Sequence, residues 1–411
     1  MPKLYADLNP PPRILMGPGP VDADPRVLNA MSMPLLGQFD PCFTGYMNEV
    51  MDLYRQVFKT KNHWAILVDG TARSATEACL SSVIEPGDTV LVPIFGRFGH
   101  LMKEISERAG GEVVTIETDW GTVFPQERII AAIAEHRPKV VPLVHGDTST
   151  TMAQPMDAVG PACRDHGALL YVDATATLGG MDVDVDGWHI DAVSAGLQKC
   201  MSGPPGSAPA TFNERVVEVV ERRKHVEEGI RPEGFEAGAG PTITSNYLDL
   251  PQLIGYWSTE RLNHHTEATS MLYAARECAR LALGEGLQAR FERHRLTSRA
   301  MVAGLTAMGL ELYGDLAHKM DNVTGVVIPE GVDGHAVRAA MLDDFGIEIG
   351  TSFGPLHGRV WRIGTMGYTC RKENALKCLG ALEATLLQQG FKLPAGQGVA
   401  QALAVYREAE M

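Results

Sequence analysis

The 411-residue sequence lacks the features that define membrane, secreted and zinc-stabilised proteins. No apolar run reaches the ~18 residues that a membrane-spanning helix needs. The first twenty residues are rich in proline and carry no apolar segment of the signal-peptide kind. The seven cysteines include no CxxC pair, so neither a disulfide framework nor a structural zinc site is expected. These absences predict a cytoplasmic protein without a metal centre.

The chain also has no excess of basic residues. Lysine and arginine number 36 against 50 aspartates and glutamates, which gives a formal net charge of −14. An acidic surface disfavours general binding to nucleic acid or to an anionic membrane, but it still allows a local basic pocket for a small anion. What is present is an ordinary globular composition, with 45% apolar and 21% charged residues. A chain of this length is expected to form about two or three domains.

Short apolar runs alternate with longer amphipathic runs over the first half of the sequence. Because the apolar runs are almost uninterrupted, they favour parallel strands that helices cover on both faces. The predicted strands are Trp64–Val68, Thr89–Ile94, Lys139–Val144, Leu169–Val172 and Ile190–Ala195. The predicted helices between them cover residues 72–85, 98–109, 126–136 and 156–166. This alternation predicts an α/β protein built on a mostly parallel sheet.

The C-terminal third of the sequence has a different pattern. A long helical region at about 249–308 precedes three short predicted strands, at Val323–Ile328, Glu348–Gly350 and Val360–Ile363. Helices are predicted near 334–345 and 372–389, so we expect a smaller α+β domain there. The predicted division is an N-terminal arm at 1–22, a large domain at 23–285 and a small C-terminal domain at 286–411.

Two charged residues stand after buried strands of the predicted sheet. Asp173 directly follows Leu169–Val172, and Lys199 comes shortly after Ile190–Ala195. Each alone has a common structural explanation, a helix cap or turn for the aspartate and a surface-reaching loop position for the lysine. Ligands of open parallel sheets bind beyond the carboxyl ends of the strands, so both side chains are expected at one site. A lysine that forms a Schiff base with an aldehyde and an acid that pairs with a pyridinium nitrogen are what pyridoxal phosphate requires.

Other strand ends carry groups that the same ligand would use. Gly70–Ala72 open a helix, and backbone N–H groups at a helix N-terminus suit a phosphate. Phe95 ends a strand where an aromatic ring would stack on a flat heterocycle, and Thr148 lies in a polar cluster after another strand. Arg362 is a lone arginine in an apolar strand, which favours either a structural ion pair or a clamp on a substrate carboxylate. Taken alone, the Gly70–Ala72 turn is explained by helix capping, and Phe95 is explained by core packing.

Taken together, these residues resemble the class V, fold-type I aminotransferases that depend on pyridoxal phosphate. The resemblance covers about residues 13–390 and is carried by Gly17–Pro20, Gly70–Ala72, Asp173, Gln198–Lys199 and Trp361–Gly364. It implies a seven-stranded, mostly parallel sheet and a homodimer with shared active sites. It also implies that Lys199 holds the cofactor as a Schiff base and that Asp173 contacts the ring nitrogen.

The same resemblance implies roles for the other site residues. Phe95 and Thr175 would lie against the two faces of the cofactor ring. Arg362 would bind the α-carboxylate of both the amino donor and the acceptor. The residues implied near the phosphate are Thr71, Ala72 and Arg73, with Gln198 and Thr148 close to the phosphate or to the ring hydroxyl.

Within this family the sequence is closer still to the ureidoglycine–glyoxylate aminotransferases of purine catabolism. The similarity is carried by Gly37–Asp40, His145–Thr150, Thr244–Tyr247, Arg261–Thr269 and Trp361–Tyr368. It implies that Gln38 and Asn263 hold the ureido end of the substrate, whose donors and acceptor match two amide side chains. The implied reaction transfers an amino group from (S)-ureidoglycine to glyoxylate and gives oxalurate and glycine.

Three alternatives remain open. The first is an alanine– or serine–glyoxylate aminotransferase on the same fold, which differs in its amino donor. The second is a desulfurase or lyase, which needs a reactive cysteine on a mobile loop, whereas here Cys370 lies beside a predicted helix start. The third is a non-catalytic cofactor-binding regulator, which the lack of a basic DNA-binding extension disfavours.

Overall fold

The structure is a computed structural model that describes residues 5–410, so the first four residues of the predicted arm lie outside the described residues. Its strands in chain order are β1 (Ile14–Leu15), β2 (Trp64–Gly70), β3 (Thr89–Ile94), β4 (Glu112–Glu117), β5 (Val140–Val144), β6 (Gly146–Asp147), β7 (Met152–Ala153), β8 (Leu169–Asp173), β9 (Ala192–Ser194), β10 (Gly206–Phe212), β11 (Val323–Val327), β12 (Ile347–Glu348), β13 (Gly350–Thr351) and β14 (Val360–Gly364).

The helices alternate with these strands in the first half of the chain and are longest in the second half. They are α1 (Pro25–Met31), α2 (Pro41–Val57), α3 (Ala72–Val83), α4 (Arg97–Arg108), α5 (Gln126–His136), α6 (Val159–Asp165), α7 (Glu214–Glu221), α8 (Leu250–Trp257), α9 (Thr269–Glu285), α10 (Leu287–Ala307), α11 (Gly334–Phe345), α12 (Lys372–Gln388) and α13 (Gln397–Glu410).

Seven strands form the central sheet in the order β2-β10-β9-β8-β5-β3-β4. The pairs β9-β8, β8-β5, β5-β3 and β3-β4 are parallel, and only β10 runs antiparallel to its neighbours β2 and β9. This confirms the α/β class and the mostly parallel, seven-stranded sheet. Parallel strands place their carboxyl ends on one edge, so the residues that follow β5 and β8 come together there.

Burial of both sheet faces explains why the central strands read as continuous apolar runs. Every residue of β5 and β8 is buried, and the apolar side chains of the sheet share one large core with those of α2, α3 and α9. Helix α2 begins where local chemistry dictates. The Asp40 carboxylate accepts the N–H of Cys42 at 2.8 Å, and Pro41 occupies the first helical turn, where its missing N–H costs nothing.

A second hydrophobic core lies in the C-terminal part of the chain. It joins residues between Ala300 and Tyr406 with Met16 of the N-terminal segment, and β1 pairs in parallel with β12. A three-stranded sheet in the order β11-β14-β13 carries Arg362 on its central strand. The predicted domain boundaries after residues 22 and 285 stay a prediction.

The pattern-based assignments hold for most of the elements that position the site. The five predicted strands are confirmed as β2, β3, β5, β8 and β9, and the helices predicted at 334–345 and 372–389 are confirmed as α11 and α12. The single helical region predicted at about 249–308 is wrong in one respect, because residues 258–268 form a loop between α8 and α9. Within residues 5–410, no helix combines the length and the apolar character that crossing a membrane requires.

Candidate active site

A cavity of about 300 Å³ opens at the carboxyl ends of the central strands. Eight of the twelve predicted site residues line it, and the sheet topology brings them together from four separate segments. The eight are Thr71, Ala72, Arg73, Thr148, Asp173, Thr175, Gln198 and Lys199. Four others, Phe95, Gln38, Asn263 and Arg362, lie outside this lining, and each is described below.

Lys199 lies in the buried loop that follows β9. Its Nζ donates a hydrogen bond to the carbonyl oxygen of Pro18, so the N-terminal segment closes one side of the cavity. Burial, assisted by the positive charge of Arg362, lowers the pKa of Lys199 to about 8. Gly19 has a φ of +101°, and a Cβ added to it would lie 2.6 Å from Nζ. The backbone can therefore pass this close to the lysine only as glycine.

Asp173 is the last residue of β8 and points its carboxylate into the same cavity. Its Oδ1 accepts the backbone N–H of Thr175 at 2.9 Å. Burial raises the pKa of Asp173 despite this hydrogen bond, and the charge of Asp147 adds to the rise. No lysine or arginine among the described residues lies within 4.0 Å of it. A buried carboxylate without a cationic partner fits a ligand that brings its own protonated nitrogen.

The turn between β2 and α3 has the chemistry of an anion cradle. Thr71 precedes the helix and makes no side-chain cap hydrogen bond, so the first backbone N–H groups of α3 are not capped by it. Gln198 reaches the same cavity, and its Oε1 is buried without a hydrogen-bond partner. A phosphate that accepts hydrogen bonds from the helix N-terminus is the group that such a turn suits.

The structure corrects the assignment of Phe95 as the stacking residue. Phe95 follows the end of β3 and is fully buried in the large core, whereas Phe98 lines the cavity. The physical reason is the anchoring of the first turn of α4: Asp147 Oδ2 accepts the N–H of Phe98 at 2.9 Å. Gly99 then packs so closely that a Cβ there would lie 2.9 Å from Cα of Ile94. The two glycines at positions 96 and 99 were the sequence signal for this tight turn.

Arg362 is buried on β14, close behind the cavity wall. Its Nε donates to the carbonyl oxygen of Thr351 at 2.7 Å, and Nη1 donates to that of Thr148 at 2.7 Å. The described residues offer it no carboxylate within 4.0 Å, so the structural ion pair left open by the sequence is absent from that part of the chain. Burial lowers its pKa to about 10. Arg362 is therefore a buried cation hydrogen-bonded to Thr148 of the cavity lining, and it suits an anionic group of the substrate.

Gln38 and Asn263 meet although 225 positions separate them in the sequence. Nε2 of Gln38 donates to Oδ1 of Asn263 at 2.8 Å. The remaining acceptor of the pair, Oε1 of Gln38, is buried and has no hydrogen-bond partner. The pair lies where the turn before α2 contacts the loop between α8 and α9, and neither residue lines the cavity that holds Lys199.

The comparisons with known proteins agree with this arrangement. The family model for aminotransferase class-V matches residues 36–356. This chain belongs to the class-V aminotransferases. An (S)-ureidoglycine–glyoxylate transaminase of Bacillus subtilis is 56% identical over 97% of this chain and 96% of its own length. The family depends on pyridoxal phosphate, so the aminotransferase described here is an enzyme that uses this cofactor.

Solved structures of other aminotransferases share the fold along nearly the whole chain. A ureidoglycine–glyoxylate aminotransferase of Bacillus subtilis matches with a TM-score of 0.92 at 55% identity, over 98% of this chain and 100% of the other. An alanine–glyoxylate aminotransferase of a Nostoc species matches with a TM-score of 0.88 at 38% identity, over 93% of this chain and 98% of the other.

The residues around the cavity fit the family cofactor. The backbone N–H groups at the start of α3 suit its phosphate. Asp173 suits its ring nitrogen, and Lys199 suits its aldehyde. The desulfurase alternative requires a reactive thiol, and Cys370 is the cysteine considered for that role. Cys370 is buried, and burial raises its pKa, so it does not present a reactive thiolate.

Proposed function

We propose that this aminotransferase moves the amino group of (S)-ureidoglycine to glyoxylate and forms oxalurate and glycine. The observation that carries the proposal is the Gln38–Asn263 amide pair with its unpartnered Oε1. The 56% identity to a transaminase named for the same two substrates supports it over nearly the full chain.

The amide pair suits a ureido group by its balance of donors and acceptors. With Nε2 and Oδ1 joined at 2.8 Å, the pair retains Oε1 of Gln38 as an acceptor and the Nδ2 hydrogens of Asn263 as donors. A ureido group is neutral and carries both N–H donors and a carbonyl acceptor. An amino donor such as alanine leaves Oε1 without a partner, and a site built for a hydrogen-bonding group discriminates against analogues that lack it.

We propose that the amide pair serves the cavity of a second copy of the chain in a homodimer. The pair does not line the cavity of its own chain, and large apolar side chains around it are left in solvent. Phe39 is 77% exposed and Leu35 is 70% exposed, and both lie within three positions of Gln38 in the sequence. An exposed apolar patch of this kind favours burial against another protein surface, and a homodimer would cover it.

The chain's own residues would hold the cofactor in one orientation. Lys199 would attach it covalently through Nζ, Thr71, Ala72 and Arg73 would bind its phosphate, and Asp173 would keep its ring nitrogen protonated. Phe98 and Thr175 would confine the ring between them. When bound, pyridoxal phosphate supplies an electron-withdrawing ring that stabilises negative charge at the substrate α-carbon.

Lys199 would also transfer the proton of the substrate α-carbon. With a pKa lowered to about 8, Nζ is partly neutral near physiological pH and can accept the proton from the substrate α-carbon. Arg362 would bind the substrate α-carboxylate and thereby orient the bond to that proton. The same clamp would serve glyoxylate, because both substrates carry a carboxylate beside the reacting carbon.

A donor comparison tests the proposal against alanine and serine as donors, and the 38% identity to an alanine–glyoxylate aminotransferase makes alanine the main alternative. The loss of cofactor absorbance on mixing holoenzyme with one donor, and no acceptor, is measured for ureidoglycine generated in situ, alanine and serine. Wild-type enzyme is expected to react fastest with ureidoglycine.

The Gln38→Ala variant should lose about 10²-fold or more of the ureidoglycine rate while its alanine rate stays unchanged. Gln288→Ala is the matched control, because Gln288 is an exposed helix residue whose side chain donates a hydrogen bond to the neighbouring Glu292 at 2.9 Å. Faster reaction of wild-type enzyme with alanine or serine, or equal loss of all donor rates in Gln38→Ala, would contradict the assignment.

A further inference from the structure

A second cluster of polar side chains, outside the proposed reaction, lies behind the phosphate turn. Asp69 is the next-to-last residue of β2, while His265 and Glu267 belong to the loop between α8 and α9. Nε2 of His265 lies 3.6 Å from Oδ2 of Asp69 and 3.7 Å from Oε2 of Glu267. Each of the three residues contributes one nitrogen or oxygen atom that could ligate a metal, and these three atoms lie within 4.8 Å of one another.

The cluster is buried and its polar atoms are not satisfied. The side chains of Asp69, His265 and Glu267 are 10%, 8% and 1% exposed. Both carboxylate oxygens of Glu267, Oδ1 of Asp69 and Nδ1 of His265 are buried without a hydrogen-bond partner. No lysine or arginine of the described chain lies within 4.0 Å of either carboxylate. Burying two adjacent carboxylates without a cation costs free energy of folding, and a bound cation would reduce this cost.

Burial shifts the pKa of all three groups toward their neutral forms. Burial raises the pKa of Glu267 to about 8, and burial together with the charge of Glu267 raises that of Asp69 to about 7. Burial lowers the pKa of His265, which leaves its imidazole neutral and its lone pair available at neutral pH. A bound cation would reverse the cost of ionising both carboxyl groups.

We propose that Asp69, His265 and Glu267 bind a divalent metal ion of the Zn²⁺ class. Ligand bonds of about 2.0–2.2 Å in tetrahedral geometry place ligand atoms roughly 3.3–3.6 Å apart. The distances of 3.6 and 3.7 Å from Nε2 of His265 are close to that spacing. One imidazole and two carboxylates suit Zn²⁺, whereas Mg²⁺ and Ca²⁺ prefer six or more oxygen ligands. Three protein ligands leave the fourth position to water.

Such an ion would join the loop between α8 and α9 to the phosphate turn. Asp69 immediately precedes Gly70 and Thr71, and its Oδ2 also accepts the N–H of Ala268 at 3.1 Å. The same loop carries Asn263, so the ion would stabilise the loop that supports the amide pair. Binding of this ion is independent of the amino-group transfer, so metal content and stability report on it without an activity measurement.

The experiment measures metal content and thermal stability together. Holoenzyme is treated with a chelator, desalted, and dialysed against Zn²⁺, Mg²⁺ or Ca²⁺ before metal analysis and thermal unfolding. The expected result is one Zn²⁺ per chain with a raised Tm, and no comparable effect of Mg²⁺ or Ca²⁺. The matched control is His318→Gln, because His318 forms an exposed histidine–aspartate pair with Asp315 at 2.7 Å.

The Glu267→Gln variant separates a metal ligand from a merely structural residue. It should lose the bound Zn²⁺ and the Tm rise, while His318→Gln should keep both. In chelator, Glu267→Gln should unfold at the wild-type temperature or above it, because it removes an unpaired buried carboxyl group. Substoichiometric Zn²⁺ in the wild-type protein, full retention of Zn²⁺ by Glu267→Gln, or equal stabilisation by Mg²⁺ would overturn the proposal.

Discussion

Replacing Asp173 with asparagine separates the charge of the buried carboxylate from its shape. Asparagine keeps an oxygen that can accept the N–H of Thr175, which now binds Oδ1 at 2.9 Å. Asp173 is 7% exposed, so little water would screen its attraction for a protonated ring nitrogen. Loss of one preorganised electrostatic contact of this kind costs about 3–4 kcal/mol, or on the order of 10²–10³ in kcat.

The stability of the cofactor-free variant should change in the opposite direction. Because burial raises the pKa of Asp173, the ionised carboxylate destabilises the cofactor-free fold. The loss of stability grows as pH rises above the unfolded-state pKa and is complete above the raised folded-state pKa. Cofactor-free Asp173→Asn should therefore be at least as stable as wild type at neutral pH. The difference in stability should disappear at acid pH, where the wild-type carboxyl group is protonated and is therefore neutral like asparagine.

The assay combines kcat of the saturated holoenzyme with thermal unfolding of the cofactor-free protein. Asp182→Asn is the control, since Asp182 forms an exposed ion pair with Lys59 at 3.0 Å, away from the cavity. A kcat for Asp173→Asn within a few-fold of wild type, with cofactor fully bound, would refute the electrostatic role. A large loss of stability in the cofactor-free variant would show that the carboxylate has a structural partner instead.

The remaining predictions concern Lys199 and the two phenylalanines. With a pKa of about 8, Nζ of Lys199 is about one-tenth neutral at pH 7 and one-half neutral at pH 8, so the rate of cofactor uptake by cofactor-free enzyme should rise about fivefold over that unit. A stopped-flow rate that is flat from pH 7 to 9 would contradict this. Phe98→Ala should weaken cofactor binding with little loss of stability, whereas Phe95→Ala should destabilise the fold by about 3–5 kcal/mol. Cofactor titration and denaturant unfolding of both variants check the contrast, which the reverse pattern would refute.

The positions of the residues at the strand ends were predictable, because alternating apolar and amphipathic runs are enough to indicate a parallel sheet. Once β5, β8 and β9 are read as parallel buried strands, Asp173 and Lys199 must lie near one another. The two strands of the central sheet that the pattern missed lack that signal. Strand β4 is a partly exposed edge, and β10 (Gly206–Phe212) is rich in small residues and contains Pro209. Their placement depends on pairing with neighbours rather than on their own apolar periodicity.

Contacts between distant loops were not predictable from local pattern. The choice between Phe95 and Phe98 depends on Asp147 anchoring the first turn of α4, an interaction across 49 positions of the sequence. The meeting of Asp69 with His265 and Glu267 likewise depends on how the loop between α8 and α9 returns to the end of β2. The resemblance to a family indicated Gln38 and Asn263, but only the structure brings the two amides into hydrogen-bonding distance.

The most direct test of the account is the site of covalent attachment. Holoenzyme is reduced with borohydride, digested and mapped by mass spectrometry. We expect a single modified peptide with the cofactor mass on Lys199, and no modification of Lys319, another lysine of residues 5–410 whose pKa is lowered by burial. Attachment at Lys319, or a protein that binds no cofactor and traps none, would contradict it.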